Sequence, residues 1–583
     1  MTRPDQTRPD APRRSRSGER LGTPRRLGPD TALLSVALTA MLGAPQLASA
    51  QSLPDPLRTK WWVIDLGMPC GCESAAADIP RVASSVNDCG EVVGSVDKAP
   101  EIEDCKLRGF GWQLCDTLAG FPNRQAFDFN DLFPSPMFAT ISEAHSINND
   151  ALVVGAAAEF DYDPKLPTMW DLLSRSGGSP EEECDFGTTD VVHLSASAGI
   201  ARSVANHAAP SSVGEFSALP ESAWFADPVG PNAASNLPDQ SWGSLARGVE
   251  WMPGSSDFRA VGEVTLSSGA KRGASWDFGT STPVLTLLGD LFSGPFAVNT
   301  ARANAVNSGG EAVGFAVQNL NTQTAALWEG APLAPFNLGA AFDSSETSEA
   351  LSISEPDASG VTHACGRSPS LSAGVVWRRD ALGVWSGVAT TTLQLRHAPG
   401  GLPVGCTPDA NPCEWSIERL NDVNALGWMA ARGTLNCCAF PERALLLVPS
   451  PCQADISGDN AISSTDLSML LSAWGPCAPP CAADIDGDDV VGASDLSALL
   501  TAWGAPCTLD AVCASVSCER GGERTAARAE PDAALMAAVA LFGFESTEEF
   551  SAWLASLPES LARSVGESLL WQLEIHNNTG GAE

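Results

Sequence analysis

Between residues 60 and 450 the apolar positions come in short runs, broken every few residues by Asn, Asp, Gly or Ser. Three stretches show the pattern most cleanly: Ser85-Val-Asn-Asp-Cys-Gly-Glu-Val-Val-Gly94, Ser146-Ile-Asn-Asn-Asp-Ala-Leu-Val-Val-Gly155 and Ala305-Val-Asn-Ser-Gly-Gly-Glu-Ala-Val-Gly314. Each reads as a strand, a tight turn and a second strand, because Asn, Asp and Gly accept the positive φ that such a turn demands. Weaker versions are Ser203-Val-Ala-Asn206 leading to Val213-Gly214, Ala260-Val-Gly262, Leu351-Ser-Ile-Ser354 leading to Gly366, and Leu420 to Trp428. A third apolar strand follows each, usually built on a tryptophan: Trp112, Trp170, Trp224, Trp276, Trp328 and Trp377, with Ala444-Leu-Leu-Leu447 as a seventh that lacks one.

A unit of this kind cannot bury its own apolar face, so it must stack on its neighbours. Seven units in this span give roughly 55 residues each, enough for one four-stranded propeller blade. The sequence therefore predicts a mainly β, repeat-built, propeller-like domain over 51–450, with a pair of β-sandwiches as the structural alternative. Trp61-Trp-Val-Ile64 at one end and Ala444 to Val448 at the other are placed to share a blade and close the ring. With Asp65-Leu-Gly67 and Asn337-Leu-Gly339 beside it, the motif A-x-x-I-N-x-x-G-x-V-V-G … A-x-x-W resembles the extracellular HAF repeats. That resemblance implies a secreted β-repeat protein and assigns it no chemistry.

The periodicity changes after residue 452. Leu467, Leu470, Leu471 and Trp474 recur at helical spacing, and Leu496, Leu499, Leu500 and Trp503 repeat them 29 residues later. Each set follows a twelve-residue acidic segment, Asp455 to Asp466 and Asp484 to Asp495. Calcium takes six to eight hard oxygens, and a twelve-residue loop offers them from positions 1, 3, 5, 7 and 12. Those are Asp455, Ser457, Asp459, the Ala461 carbonyl and Asp466 in one loop, and Asp484, Asp486, Asp488, the Val490 carbonyl and Asp495 in the other. Asn460 and Asp489 stand at the sharp turn, where a left-handed backbone is needed and these two types tolerate it. Ile462 and Val491 are expected to face one another between the loops. Gly475 and Gly504 end the helices, and prolines at 449, 451, 479 and 480 argue against entering helices.

Two calcium loops, each with only an exiting helix, resemble a type I dockerin over residues 452–507. The resemblance implies two calcium ions and a cohesin-type or cell-surface protein partner. It places partner recognition at Ser464-Thr465 and Ala493-Ser494.

The remaining features set the context. Formal net charge is −36, from 34 basic and 70 acidic residues, which argues against nucleic acid or anionic membrane as a partner. An apolar run from Thr31 to Leu42 and Ala48-Ser49-Ala50 read as a secretory signal over 1–50, and no membrane span is expected in the mature chain. Export makes the 17 cysteines disulfide candidates. Cys452 with Cys477 and Cys481 with Cys507 would bracket the two repeats, and an odd count leaves at least one thiol over. Residues 508–545 read as a polar linker, and 546–576 as an amphipathic helical tail with capping boxes at Ser546 and Ser556.

Catalytic patterns are missing from the sequence. The single tyrosine, Tyr162, lies outside any sialidase box, no G-x-S-x-G elbow occurs, and His145, His193, His207, His363 and His397 are scattered. They read as ordinary surface or hairpin residues. The leading expectation is a secreted, non-catalytic β-repeat protein anchored through a calcium-dependent module. A secreted polysaccharide-degrading enzyme on the same anchor is the first alternative, with carbohydrate as its ligand. An envelope adhesion protein whose calcium repeats are purely structural is the second.

Overall fold

The structure, a computed structural model, describes residues 53–516 apart from several connecting segments, the longest of them 69–80, 97–106, 177–187 and 400–412. The expected signal 1–50, the part of the expected linker beyond 516 and the tail helices 546–576 lie outside the described residues.

Seven sheets follow one another around a ring, the first six each built of four consecutive antiparallel strands, and together they form a seven-bladed β-propeller. The innermost strands of blades 1 to 7 are Arg81–Val86, Ile141–Ile147, Gly199–Val204, Ser244–Met252, Ala301–Val306, Glu349–Ile353 and Trp415–Val423. Blade 7 breaks the sequential order. Its strands Trp415–Val423, Met429–Leu435 and Arg443–Pro449 are completed by Lys60–Asp65 from the other end of the chain, pairing Trp62 with Val448 and Ile64 with Leu446. The ring is thus closed by the two segments the sequence singled out. A fifth strand, Gln394–His397, adds in parallel to the closing strand. Among the described residues no helix is long and apolar enough to cross a membrane.

One irregularity recurs in every blade and explains the repeat motif. The register of the innermost strand slips between Ala83 and Ser85, Ala144 and Ser146, Ala201 and Ser203, Ala246 and Gly248, Ala303 and Ala305, Ala350 and Ser352, and Leu420 and Asp422. A β-bulge at each place kinks the strand and re-aims one side chain. In blades 1 to 6 the partner of the residue before the bulge is glycine: Gly94, Gly155, Gly214, Gly262, Gly314 and Gly366. A Cβ there would lie only 1.9–2.0 Å from a carbonyl oxygen of the bulged strand. The glycine closing each V-V-G is therefore dictated by backbone approach.

The motif asparagine does two things. Its Oδ1 accepts the N–H groups two and four residues on, as Asn87 does from Cys89 (3.1 Å) and Glu91 (3.0 Å), which fixes the hairpin turn. Its Nδ2 donates to the next blade: Asn424 to the Asn87 carbonyl (2.8 Å), Asn87 to Asn148 (2.8 Å), Asn148 to Ala205 (3.1 Å) and Asn307 to Ser354 (3.2 Å). Each is a buried amide with its hydrogen bonds made, and leaving one of them unmade would cost about 1–3 kcal/mol. The third turn residue takes positive φ as expected, at Gly90, Gly310, Gly427 and even Ala151.

Packing between blades is carried by the third strands. Trp112, Trp170, Trp224, Trp276, Trp328 and Trp377 are all buried, and Leu447 occupies the corresponding position in blade 7. Five of these tryptophans pair with the residue two before the motif glycine, while Trp224 pairs with the glycine itself, Gly214; each is worth several kcal/mol on truncation.

His363 departs from the reading of the histidines as surface or hairpin residues. It sits in the second strand of blade 6, fully buried, where burial and then the charge of Arg378 hold its pKa down at about 3. A base whose folded pKa lies below its unfolded 6.5 adds stability that is complete above pH 6.5 and is lost as pH falls toward 3. Between pH 6.5 and 4.5 that loss is about 2–3 kcal/mol. In urea unfolding, His363→Gln is expected to remove this share of the acid sensitivity. An unchanged pH dependence in the variant would contradict the assignment.

Candidate functional sites: two acidic loops and a central channel

Residues 452–513 pack against the closing blade and share its core. Ile456, Ile462, Leu470, Val491 and Leu499 join one apolar cluster with Trp62, Ile64, Trp428 and Leu446. Two helices exit the acidic loops, Ser464–Ser472 and Ala493–Thr501. Asn460 (φ +63°) and Asp489 (φ +68°) adopt the left-handed backbone predicted for the turn, and Gly475 and Gly504 take positive φ after the helices.

Each loop gathers carboxylates. Oxygens of Asp455, Asp459 and Asp466 lie within 4.8 Å of one another, as do those of Asp484, Asp486 and Asp495. The first and last acids are buried, and backbone N–H groups fix their aim. Asp455 accepts from Gly458 (2.7 Å) and Asn460 (2.9 Å), and Asp466 from Ile456, Ser457 and Ser463 (2.8 Å each). Asp484 and Asp495 repeat the arrangement, accepting from Gly487 and Asp489 and from Ile485 and Gly492. Burial alone would raise the pKa of Asp466, but the N–H donors of Ser457, Ser463 and Ile456 outweigh it and hold the carboxyl below its usual range. Ser457 lies beside Asp455, its Oγ donating at 3.3 Å. Asp488 stays outside the converging trio of its loop and accepts from Val490 N–H at 2.8 Å. Position-7 residues Ala461 and Val490 are exposed at the loop tips. The donor set is all oxygen, hard and anionic, and that fits calcium.

Two expectations need correction. Ile462 and Val491, expected to face one another, are both buried in the shared apolar core, and their backbones bond across to the glycine after the other helix, Val491 with Gly475 and Ile462 with Gly504 (3.3 Å). Without entering helices, the segments leaving the helices are what the loops have to pair with. The same two-fold exchange overturns the disulfides: Cys452 joins Cys507 and Cys477 joins Cys481. Crossing the repeats brings the outer ends of the module together, so the bridges close the pair and not each half. Finally, the residues after 507 begin with a short helix, Leu509–Cys513, tied to blade 1 by Cys115–Cys513 and an Arg124–Asp510 ion pair, where a linker was expected. Cys413 bonds Cys437, and Cys365 is a free, buried thiol.

The helical stripes also divide. Leu470 and Leu499 are buried, while Leu471, Trp474, Leu500 and Trp503 are each about half exposed, with Met469 and Val490 beside them in exposure. Nine-residue helices against one small core cannot cover a stripe that wide. Ser464, Thr465, Ala493 and Ser494 open the two helices and are exposed.

The second site was not visible in the sequence. The inner strands enclose a polar cavity of about 210 Å³ on the propeller axis. Its wall includes the seven bulged residues Ser84, His145, Arg202, Arg247, Asn304, Leu351 and Asn421. His145 is therefore a channel residue, which corrects its reading as a surface position. His145 lies 3.3 Å from Glu143, and Arg202 is 2.6 Å from Glu215. At the turn end, Glu250 is buried, and desolvation followed by the charges of Glu355 and Asp88 pushes its pKa well above normal. Asp422 is buried at the closing seam, where it accepts from Ser85 (2.7 Å), Ser352 (2.5 Å), Val86 N–H and Val423 N–H (3.0 Å each).

No protein-family model matches the chain, and no curated protein matches it. Solved structures with related architecture include TolB from Acinetobacter baumannii, at 12% identity and a TM-score of 0.30, covering 52% of this chain and 63% of that one. Prolyl oligopeptidase B from Galerina marginata aligns at 6% identity and 0.36, covering 61% and 47%. Trypanosoma rangeli sialidase, solved with the inhibitor DANA, aligns at 8% and 0.29, covering 76% and 66%. The chain thus spans roughly half to two thirds of the length of these proteins. The seven-bladed assignment rests on strand order and register.

Proposed function

We propose that this is a secreted, non-catalytic β-propeller protein of HAF-repeat type, held to a protein partner by a calcium-dependent, dockerin-like module at residues 452–507. The observation that carries this reading is the duplicated acidic loop. Two carboxylate trios converge in loops that repeat 29 residues apart, with equivalent N–H donors behind the first and last acid of each. Asp455, Ser457, Asp459, the Ala461 carbonyl and Asp466 would hold one ion. Asp484, Asp486, Asp488, the Val490 carbonyl and Asp495 would hold the other. Bound calcium supplies the positive charge that offsets the mutual repulsion of these acids. The half-exposed Leu471, Trp474, Leu500 and Trp503, at the ends of the helices that Ser464-Thr465 and Ala493-Ser494 open, support the anchoring role, since aromatic anchors on an otherwise acidic chain suit a protein partner such as a cohesin-type module. The described disulfides suit an oxidising, extracellular setting.

Calcium titration of the full chain by calorimetry is expected to show two ions bound, with Asp466→Asn and Asp495→Asn each removing one. At a hundredfold excess over Kd, each ion should stabilise the module by about 2.7 kcal/mol. Absence of heat, together with melting unchanged by chelator, would end the calcium reading. With calcium bound, Trp474→Ala with Trp503→Ala should weaken capture by a cohesin-type partner at least tenfold, and undiminished capture would place the anchor elsewhere.

A further inference from the structure

The bulge ring divides into two unlike arcs. Blades 2, 3 and 4 present His145, Arg202 and Arg247 to the channel, and Asn304 of blade 5 continues that side. The bulge residues of the opposite arc, from blades 6, 7 and 1, are Leu351, Asn421 and Ser84, all neutral; the acids of the wall, Asp88, Glu250, Glu355 and Asp422, follow the bulges toward the turn end, where Ser85 and Ser352 donate to Asp422.

The cations of the first arc are not equivalent. Arg202 has Glu215 at 2.6 Å, His145 has Glu143 at 3.3 Å, and Arg302, behind Asn304, is paired with Glu349. Arg247 has no hydrogen-bond or ion-pair partner among the described residues. Of the two acids that act on it, Glu215 is taken by Arg202 and Glu263 of its own blade by Lys271 at 2.7 Å. Its Nε is buried without an acceptor, as is that of Arg202. Burial first, and then the charges of Arg302 and Arg202, bring its pKa down, against the smaller opposing pull of Glu215 and Glu263. A guanidinium partly withdrawn from water and set beside like charge gains when a further anion meets it.

We propose that the channel is an anion site that seats a carboxylate-bearing, monosaccharide-sized polyol such as a uronic acid. The carboxylate lies against Arg247 and Arg202, whose planar donor forks match its two oxygens. The hydroxyls face Ser84, Asn421 and Asn304. The cavity of about 210 Å³ has room for one sugar ring. Ligand enters where Arg202, whose side chain is 25% exposed, meets solvent.

The test is calorimetry on the full, disulfide-intact protein with glucuronate and galacturonate, and with glucose and inorganic sulfate as controls. One uronate is expected to bind per chain, with glucose at least tenfold weaker. Arg247→Met should lower uronate affinity at least tenfold, and Arg247→Lys by a smaller factor, because it keeps the charge and loses the fork. Leu351→Glu, on the opposite arc, adds an internal carboxylate facing the cations and should also weaken binding; this variant keeps the test decisive if Arg247→Met fails to fold. Uronates that do not bind, or bind equally well to Arg247→Met and Leu351→Glu, overturn the site. Sulfate binding as tightly as either uronate, or glucose matching them, overturns the assignment of ligand class.

Discussion

Gly314→Ala is expected to destabilise the propeller by about 3 kcal/mol or more, a large effect for one added methyl group. The new Cβ would stand 1.9 Å from the Arg302 carbonyl and 2.8 Å from the Ala303 Cα, and both are backbone atoms held by the bulge of the innermost strand. A flexible side chain could swing aside; a hydrogen-bonded strand cannot move without opening the ladder. Blade 7 shows the condition under which alanine is accepted. There Ala431 stands opposite Leu420, and the strand carries a second bulge between Ile417 and Arg419, which moves the close approach to Gly433 (2.4 Å from the Ser416 carbonyl). Gly269→Ala is the control. That glycine has φ +80° with nothing within 4 Å of a Cβ, so only the left-handed backbone resists, at about 1 kcal/mol. Urea unfolding of the two variants should separate these costs. Equal destabilisation would mean that conformation, and not the bulge, dictates the V-V-G glycine.

That glycine shows how far the sequence could be read. Its recurrence marked the repeat, and hairpin chemistry with a tryptophan in six of the seven units was enough to reach seven blades and their closure by Trp61 to Ile64. The acidic loops were legible for a similar reason: a metal site built from consecutive residues shows its ligand spacing in the chain, down to the left-handed Asn460 and Asp489. The channel was hidden because its wall takes one residue from each blade, at the position after the small residue of the motif. Those seven residues, from Ser84 to Asn421, share a place and no chemistry. Superposing the repeats on that position would have exposed the charges of His145, Arg202 and Arg247. The disulfides failed on different grounds. Spacing around two repeats is equally compatible with bridges within each or across both, and only the crossed pairing of Ile462 with Gly504 and Val491 with Gly475 decides it. Helical periodicity likewise marked Leu471 and Trp474 as apolar without saying that the core ends before it reaches them.

Glu349→Gln is expected to cost about 3–5 kcal/mol, because it breaks a buried ion network from its centre. Glu349 is 1% exposed and lies at the start of the innermost strand of blade 6. One oxygen accepts from Arg302 and from Asn304 (3.2 Å) of blade 5; the other accepts from Arg367 of its own blade, at 3.1 and 2.9 Å. Arg419 of blade 7 lies close enough that burial, followed by the charge of Arg367, brings its pKa to about 10. Burial would raise the pKa of Glu349, but Arg302 and Arg367 outweigh it, and the carboxyl ends below its usual value. A carboxyl depressed in the fold contributes stability that is present above its unfolded pKa of 4.5 and is lost as pH falls below it. The neutral amide leaves the guanidinium groups facing one another, so the variant should lose stability at pH 7 and show less further loss toward pH 3. Removing one of the cations as well, in Glu349→Gln with Arg302→Gln, should recover part of the cost, since the repulsion is then relieved. A double variant no more stable than the single one would show that Glu349 acts through packing alone and that the charges of blades 5, 6 and 7 are independent.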